Sequence, residues 1–305
     1  MKIRTFTEKD VDNVVSIFNE ACKYDRDFSP LSARTWREWF SGPDVRLESD
    51  CFVAEEEEIW GFGALHIHSE ALRAGRMYLS GPYVHSRFER RGTGKALLEV
   101  LVAEAGKRGA SQIFSSIPEE RPSHGFAKKF GFKVARYFLR LRAEVGDIPY
   151  IIKPEDILVR TFEEGDEEML LDIHNRGFVD HWNYFPITMD DINQWKKESI
   201  FDPRGIFFAI HDGRAEGFCV VFIDEEHVNY TGDKIAYVGD LACDKGYRRR
   251  GIGSHLLSLA GEYAKGKGMK ALELDMDAEN PNAPGVYEKM GFVQKKRSMS
   301  YRREI

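Results

Sequence analysis

The sequence predicts an α/β protein in the mixed-sheet (α+β) sense, built as two tandem domains of one fold. Three observations lead there. The 305-residue chain repeats itself once. Each copy opens with segments that read as antiparallel strands, and each then alternates strands with helices. An antiparallel start followed by alternating elements is the grammar of a mixed sheet with helices on its faces.

The repeat is legible residue by residue. Ile3-Arg4-Thr5-Phe6, followed by Glu8 and Asp10, returns as Val159-Arg160-Thr161-Phe162, followed by Glu164 and Asp166. Phe18-Asn19 returns as His174-Asn175, Arg91-Gly92-Thr93-Gly94 as Arg250-Gly251-Ile252-Gly253, and Gly131-Phe132 as Gly291-Phe292. The offset drifts from roughly 156 to roughly 160 residues, as small loop insertions would make it. A period of one domain is a duplication, not a solenoid. The expected organisation is a domain over 1–146, a linker over 147–157 in which GDIPYIIKPED places two prolines in a polar frame, and a domain over 158–305.

Within each copy a strand (Ile3–Phe6, Leu158–Phe162) leads to a helix opened by acidic residues (Glu8–Ala21, Glu164–Arg176). A second helical stretch carries tryptophans, at Thr35–Phe40 and Met189–Lys197. A hairpin follows, Cys51–Glu55 with Ile59–His68 and Ile206–Ile210 with Gly217–Ile223. Asp212-Gly213 is the stronger of the two turn signals. Then come a central strand (Tyr237–Cys243 in the second copy), a glycine loop with its helix, another strand (Gln112–Ser116, Ala271–Asp275), a short helix and a final strand.

Composition bounds the function. Hydrophobic residues at 42% and charged residues at 31% describe a soluble globular protein, and 305 residues suffice for two ordinary cores. A net charge of −6 without a long basic tract speaks against nucleic acid. Cys22, Cys51, Cys219 and Cys243 lack metal-site spacing, so no metal is expected and they read as reduced core thiols of a cytoplasmic protein. The N-terminus is charged, and no apolar run approaches 18 residues, so no membrane span is expected.

The chemistry concentrates in Tyr237–Gly253. An apolar strand runs into a turn rich in Lys, Gly and Arg, and the helix that follows has Leu256, Leu257, Ala260 and Ala264 at helical spacing. Free backbone N–H groups and the positive end of the helix dipole meet at such a junction, which favours an anion such as a pyrophosphate. The loop is neither a P-loop, since no Gly-Lys-Ser/Thr ends it, nor a dinucleotide fingerprint, since Leu256 stands at the third glycine position.

Arg-x-x-Gly-x-Gly between a strand and an amphipathic helix resembles the acyl-CoA loop of the GNAT superfamily of N-acetyltransferases. Asn280-x-x-Ala283-x-x-x-Tyr287-x-x-x-Gly291-Phe292 is similar to a second segment of that superfamily. The duplication, with an altered first half, and the HNRGF segment at His174–Phe178 resemble the mycothiol synthase group within it. The resemblance implies two GNAT-like domains, acetyl-CoA as co-substrate and an amine acceptor. Carried over position by position, Arg248, Arg249, Arg250, Gly251, Ile252, Gly253 and Ser254 would hold the pyrophosphate. Leu241, Ala242 and Cys243 would pair with pantetheine, Asn280 and Ala283 would border the cofactor, and Tyr287 would be the general acid beside the sulfur. A core aromatic is the other reading of Tyr287, and a tight solvated turn the other reading of the loop.

Asp240 matches a position where some members place an acidic base; a carboxylate tied to a neighbouring backbone or arginine is the alternative. Glu225, Glu226 and His227 read as a solvated turn, with a place at the acceptor entrance as the other reading. His174 and His181, with Trp182 and Tyr184, fall where the family binds its acceptor, although a helical histidine is more often packing. In the first copy Glu89 stands at the first loop position, Ala127 at the tyrosine, Glu120 at the asparagine and Pro82 opposite Leu241. That half is expected to have lost catalysis.

The leading expectation is an N-acetyltransferase acting in its second domain on the primary amine of a small molecule, by direct attack in a ternary complex. A peptide amine, a CoA-binding regulatory module without turnover and a purely structural protein are the alternatives. Monomer and homodimer both stay open.

Overall fold

The computed structural model describes residues 1–23, 29–40, 42–280 and 284–305. Among them the strands, in chain order, are β1 (Lys2–Thr5), β2 (Cys51–Glu55), β3 (Ile59–His66), β4 (Arg76–Val84), β5 (Gln112–Pro118), β6 (Lys133–Glu144), β7 (Leu158–Thr161), β8 (Ile206–His211), β9 (Arg214–Phe222), β10 (Ile235–Cys243), β11 (Ala271–Asp277) and β12 (Val293–Glu304). The mixed α/β character expected from the repeat is what the backbone adopts.

Two compact units result, Met1–Arg136 with Ser298–Ile305, and Tyr137–Arg297. The sequence repeat and these units cut the chain at different places. In the first unit the strands run β1-β2-β3-β4-β5-β12, and the place beside β5 is taken by the end of the chain, Ser298–Glu304 antiparallel to Gln112–Pro118. In the second they run β6-β11-β10-β9-β8-β7, with Phe138–Glu144 antiparallel to Ala271–Asp277. Each copy's last strand thus completes the other unit. The 147–157 linker packs on the second unit, where the Ile151 amide donates to Ser258 Oγ at 2.9 Å and Ile157 is 1% exposed.

Each unit has one parallel pair, β4 with β5 and β10 with β11, and a helix crosses between the partners as parallel pairing requires. In the second unit that helix is Ile252–Gly266. Ile252, Leu256, Leu257, Ala260 and Ala264 recur on one face and are buried against β9, β10 and β11. At about 25 cal/mol per Å2 of apolar area, each leucine contributes roughly 2 kcal/mol. Gly268 at φ +76° ends the helix, and the Met269 amide donates to the Ala264 carbonyl at 2.9 Å. Thr93–Lys107 ends in the same way at Gly109, φ +92°, with the Ala110 amide on the Ala105 carbonyl at 3.0 Å.

The opposite face of the second sheet is covered by the helices Glu167–Phe178 and Met189–Trp195, over a core that includes Leu170, Ile173, Phe208, Phe218 and Ala242. The repeated Arg and Asp turn out to be a folding device. Arg160 grips Asp166, which also accepts from the Glu163 amide at 2.7 Å just before the helix; Arg4, Asp10 and Thr7 do the same in the first copy. The expected solvated turn at Glu225–His227 is instead the helix Glu225–Thr231. Asp224 caps it by accepting from the His227 amide at 2.9 Å, and His227 is buried.

Candidate active site

β10 runs through the short 3-10 turn Lys245–Tyr247 into the loop and the Ile252–Gly266 helix. Two residues turn the chain, Arg249 at φ +62° and Gly251 at φ +88°. Gly251 is the N-cap and has no side chain to offer, and among the first amides that of Gly253 hydrogen-bonds the Cys243 sulfur. A Cβ at Gly251 or Gly253 would meet nothing within 4 Å, so both glycines face open space on that side. The start of this 15-residue helix is a place where an anion is favoured on general electrostatic grounds.

The loop arginines are placed unequally. Arg248 is a clamp: its guanidinium donates to the Cys243 carbonyl at 3.1 Å, the Gly177 carbonyl at 3.1 Å and Asp180 at 3.0 Å. Arg250 pairs with Asp156 at 2.5 Å and lies over the Tyr247 ring. Arg249 is exposed at the bend. Ser254 lies in the first turn of the helix, its carbonyl accepting from Ser258 Oγ at 2.9 Å.

Beside the loop the parallel pair comes apart. β10 and β11 are in register from Ile235 with Ala271 to Val238 with Leu274, and from there β10 pairs with β9 alone. Leu241, Ala242 and Cys243 therefore lie along the opened edge. A bulge at Gly239, between the Val238–Val221 and Asp240–Val220 pairs, reverses which side chains face which layer. Ala236 and Val238 lie in the core under the Ile252–Gly266 helix, whereas Ala242, after the bulge, lies in the core under Glu167–Phe178. Asp240 shares that second face. It lines a cavity of about 150 Å3 together with Leu170, Trp195, Phe201 and Val220. Burial raises its pKa, and His174 opposes the rise.

Tyr287 comes from the other face. It stands on the helix Pro284–Lys289, half-buried against the Ile252–Gly266 core, with its ring edge-on to Phe292 at 5.9 Å. Burial, with the Cys219 and Cys243 thiols nearby, pushes the phenol up to about 12. Cys243 is likewise pushed up to about 12 by burial, so it is a neutral thiol and no nucleophile. Asn280 follows β11, its amide donating to the Asp277 carbonyl at 3.1 Å, and Ala283 lies outside the described residues. Among the described residues no group of His, Cys, Asp or Glu is arranged to hold a metal ion, and no helix is long and apolar enough to cross a membrane.

Sequence reasoning passed over the Arg176 hub, which pairs with Asp172 and Glu216 at 3.0 Å each and with Asp244 at 2.5 Å. Its signal was the same HNRGF segment. Asn175 in that segment is a loop tie, accepting from the Ile187 amide at 2.9 Å and donating to the Ile187 carbonyl at 3.0 Å. Asn19 ties Leu31 with the same pair of bonds.

The first unit keeps the bend and alters its surroundings. Arg90 and Gly92 have φ +61° and +89°, within a degree of their counterparts, and the β4–β5 pairing ends at Tyr78 with Phe114. Phe126, however, would lie 3.5 Å from a Cβ at Gly94, where Gly253 has open space. Glu89, Pro82 and Ala127 line a cavity of about 210 Å3 in the opened strands.

The match of one family model to both repeats puts the chain among the acyltransferases. The chain belongs to the acetyltransferase (GNAT) family, which matches twice, at residues 12–132 and 167–292. It is 28% identical over 291 residues to the mycothiol acetyltransferase of Thermomonospora curvata, covering 94% of this chain and 92% of that one. The protein of the same name from Thermobispora bispora is 31% identical over 223 residues, 72% of this chain and 74% of that one. The fold is shared with a solved GCN5-related N-acetyltransferase of Sphaerobacter thermophilus, TM-score 0.74 at 21% identity over 99% of this chain and 95% of that one. It is also shared with a tandem GNAT protein from the clavulanic acid biosynthesis pathway, TM-score 0.72 at 16% identity over 99% and 98%.

Proposed function

We propose that the protein transfers an acetyl group from acetyl-CoA to the primary amine of a small molecule, by direct attack in a ternary complex within its C-terminal repeat. The helix start at Gly251–Ser254, following directly on the parted strand that has Asp240 on one face and Tyr287 on the other, is the observation that carries this reading. The amides and the bend at Arg249 would receive the pyrophosphate, with Arg248 and Arg250 holding the loop in shape. The edge Leu241–Cys243 offers backbone groups to pantetheine.

Asp240 would accept the proton that the amine loses as its nitrogen bonds to the acetyl carbon. Tyr287 would serve the sulfur as the C–S bond breaks. A phenol near 12 against a thiol near 8.5 makes full proton transfer uphill by roughly 3.5 units, about 5 kcal/mol. Tyr287 therefore acts first as a hydrogen-bond donor to the developing thiolate, and the proton follows as the amine's proton is returned through the site. A covalent acetyl-enzyme has no support, since Cys219 and Cys243 are both held protonated by burial.

The test is product detection by mass with acetyl-CoA against a panel of small amines, including the amine whose acetylation yields mycothiol. Acetylated product from one amine class, with intersecting initial-rate plots, is expected. Acetyl-CoA binding without product from any amine would favour a regulatory module, and acetylation of peptides alone would move the acceptor class.

A further inference from the structure

His174 is a buried histidine that the reaction as described leaves unused. It is 8% exposed, its Nδ1 has no hydrogen-bond partner among the described residues, and Phe178, Trp195 and Phe218 surround its ring at 4.8, 5.7 and 5.8 Å. A buried polar atom left unpaired calls for a reason. Its position supplies one. Gly177, three residues on, presses the helix onto β10, where a Cβ would come within 2.8 Å of the Ala242 Cβ. One helical turn back stands His174, and two residues back on the same face of β10 stands Asp240. The glycine brings the two elements together, and the imidazole and the carboxyl are near enough to feel each other's charge.

We propose that His174 is a positioning residue of the acyl transfer, holding Asp240 as a carboxylate and taking over from it, at Nδ1, the proton lost by the amine. This rests on the assignment of Asp240 as the proton acceptor. The step is a proton transfer only: the amine's proton goes to Asp240 and on to Nδ1, leaving a carboxylate beside an imidazolium, and returns to the thiolate with Tyr287 as donor. The pair is suited to sharing one proton. Burial raises the carboxyl and lowers the imidazole, so the two approach each other, while each favours the charged form of the other. The other groups facing the imidazole are Asp191 on the Met189–Trp195 helix, which favours its charge, Asn175 beside it, and His181, with which it repels. Asp240 feels no charge other than His174, and the Cys219 thiol lies near it.

Two measurements on the full chain test this. The first follows the His174 imidazole by NMR in the protein and in Asp240→Asn. Loss of the carboxylate is expected to lower its pKa by about one unit, and an unmoved titration overturns the proposal without any acceptor being known. The second is the pH profile of kcat/KM for thiol release from acetyl-CoA with the fastest amine of the panel. In His174→Asn and His174→Phe the acid limb is expected to move up by about one pH unit, with kcat down 10-fold or more. An unmoved limb in folded His174→Asn reduces the residue to packing and overturns the proposal, while Asp240→Asn remains inactive. Full activity in Asp240→Asn would overturn the base assignment itself, and this inference with it.

Discussion

Asp240 and Tyr287 approach the opened edge of β10 from opposite faces of the sheet, the carboxyl from the Glu167–Phe178 layer and the phenol from the Ile252–Gly266 layer. A thioester threaded between them would have a proton acceptor on the amine side and a donor on the sulfur side. Tyr287→Phe is therefore expected to lower kcat by about 100-fold and leave KM for acetyl-CoA nearly unchanged, as steady-state kinetics would read. Because the phenol lies near 12 and donates only while protonated, Tyr287 contributes no basic limb below about pH 11. A limb at pH 9 that vanished in Tyr287→Phe would contradict this.

The bend at Gly251 needs a left-handed backbone, at φ +88°, and the bend at Gly92 matches it. An L-residue in that region costs about 1–2 kcal/mol. Gly251→Ala and Gly92→Ala are each expected to lower stability by that amount in denaturant melts, with unchanged m-values.

Asn175 and Asn19 are ties across twelve residues. Replacing either by alanine leaves a partly buried amide and carbonyl unpaired, an expected loss of about 1–3 kcal/mol. Asn19→Ala is expected to cost stability without altering KM for the amine.

Asp166 is held below the ordinary aspartate range, first by its hydrogen bonds from Arg160, with burial opposing. A depressed carboxyl contributes stability above its unfolded pKa, and that contribution is lost as pH falls through the folded value. Asp166→Asn is expected to melt lower than the parent at pH 7, and the gap is expected to close toward pH 2. A gap constant with pH would show that the pair contributes nothing through charge.

The chain end belongs to the first unit: Tyr301 on β12 is fully buried there and its hydroxyl meets His124 Nδ1 at 3.0 Å. Deleting 298–305 removes the strand paired with β5 and that ring. The expected result is selective loss of hydrogen-exchange protection in β5 and the Thr93–Lys107 helix, although these lie some two hundred residues away in sequence.

The loop was legible because Gly251 and Gly253 are demanded by backbone geometry, and the repeat because Arg4, Asp10 and Asn19 recur for folding reasons. The strand exchange was not legible, since β6 and β12 are copies of one strand and alternation does not say which sheet each joins. The facing of Asp240 was hidden for a sharper reason. By strict alternation it shares a face with Val238, and the bulge at Gly239 reverses that. Arg248, expected at the phosphate, also donates to the Cys243 and Gly177 carbonyls, contacts that depend on a helix seventy residues earlier. His227 was read as solvated because its acidic neighbours hid a capped helix.

The central claim is that the C-terminal repeat does the chemistry, and the most direct measurement is turnover of acetyl-CoA with the best amine in matched Gly251→Glu and Gly92→Glu proteins, both confirmed folded. A carboxylate at either cradle repels a pyrophosphate. The account predicts loss of activity in Gly251→Glu and near-parental kcat/KM in Gly92→Glu. Activity surviving Gly251→Glu and lost in Gly92→Glu would place the working site in the other half.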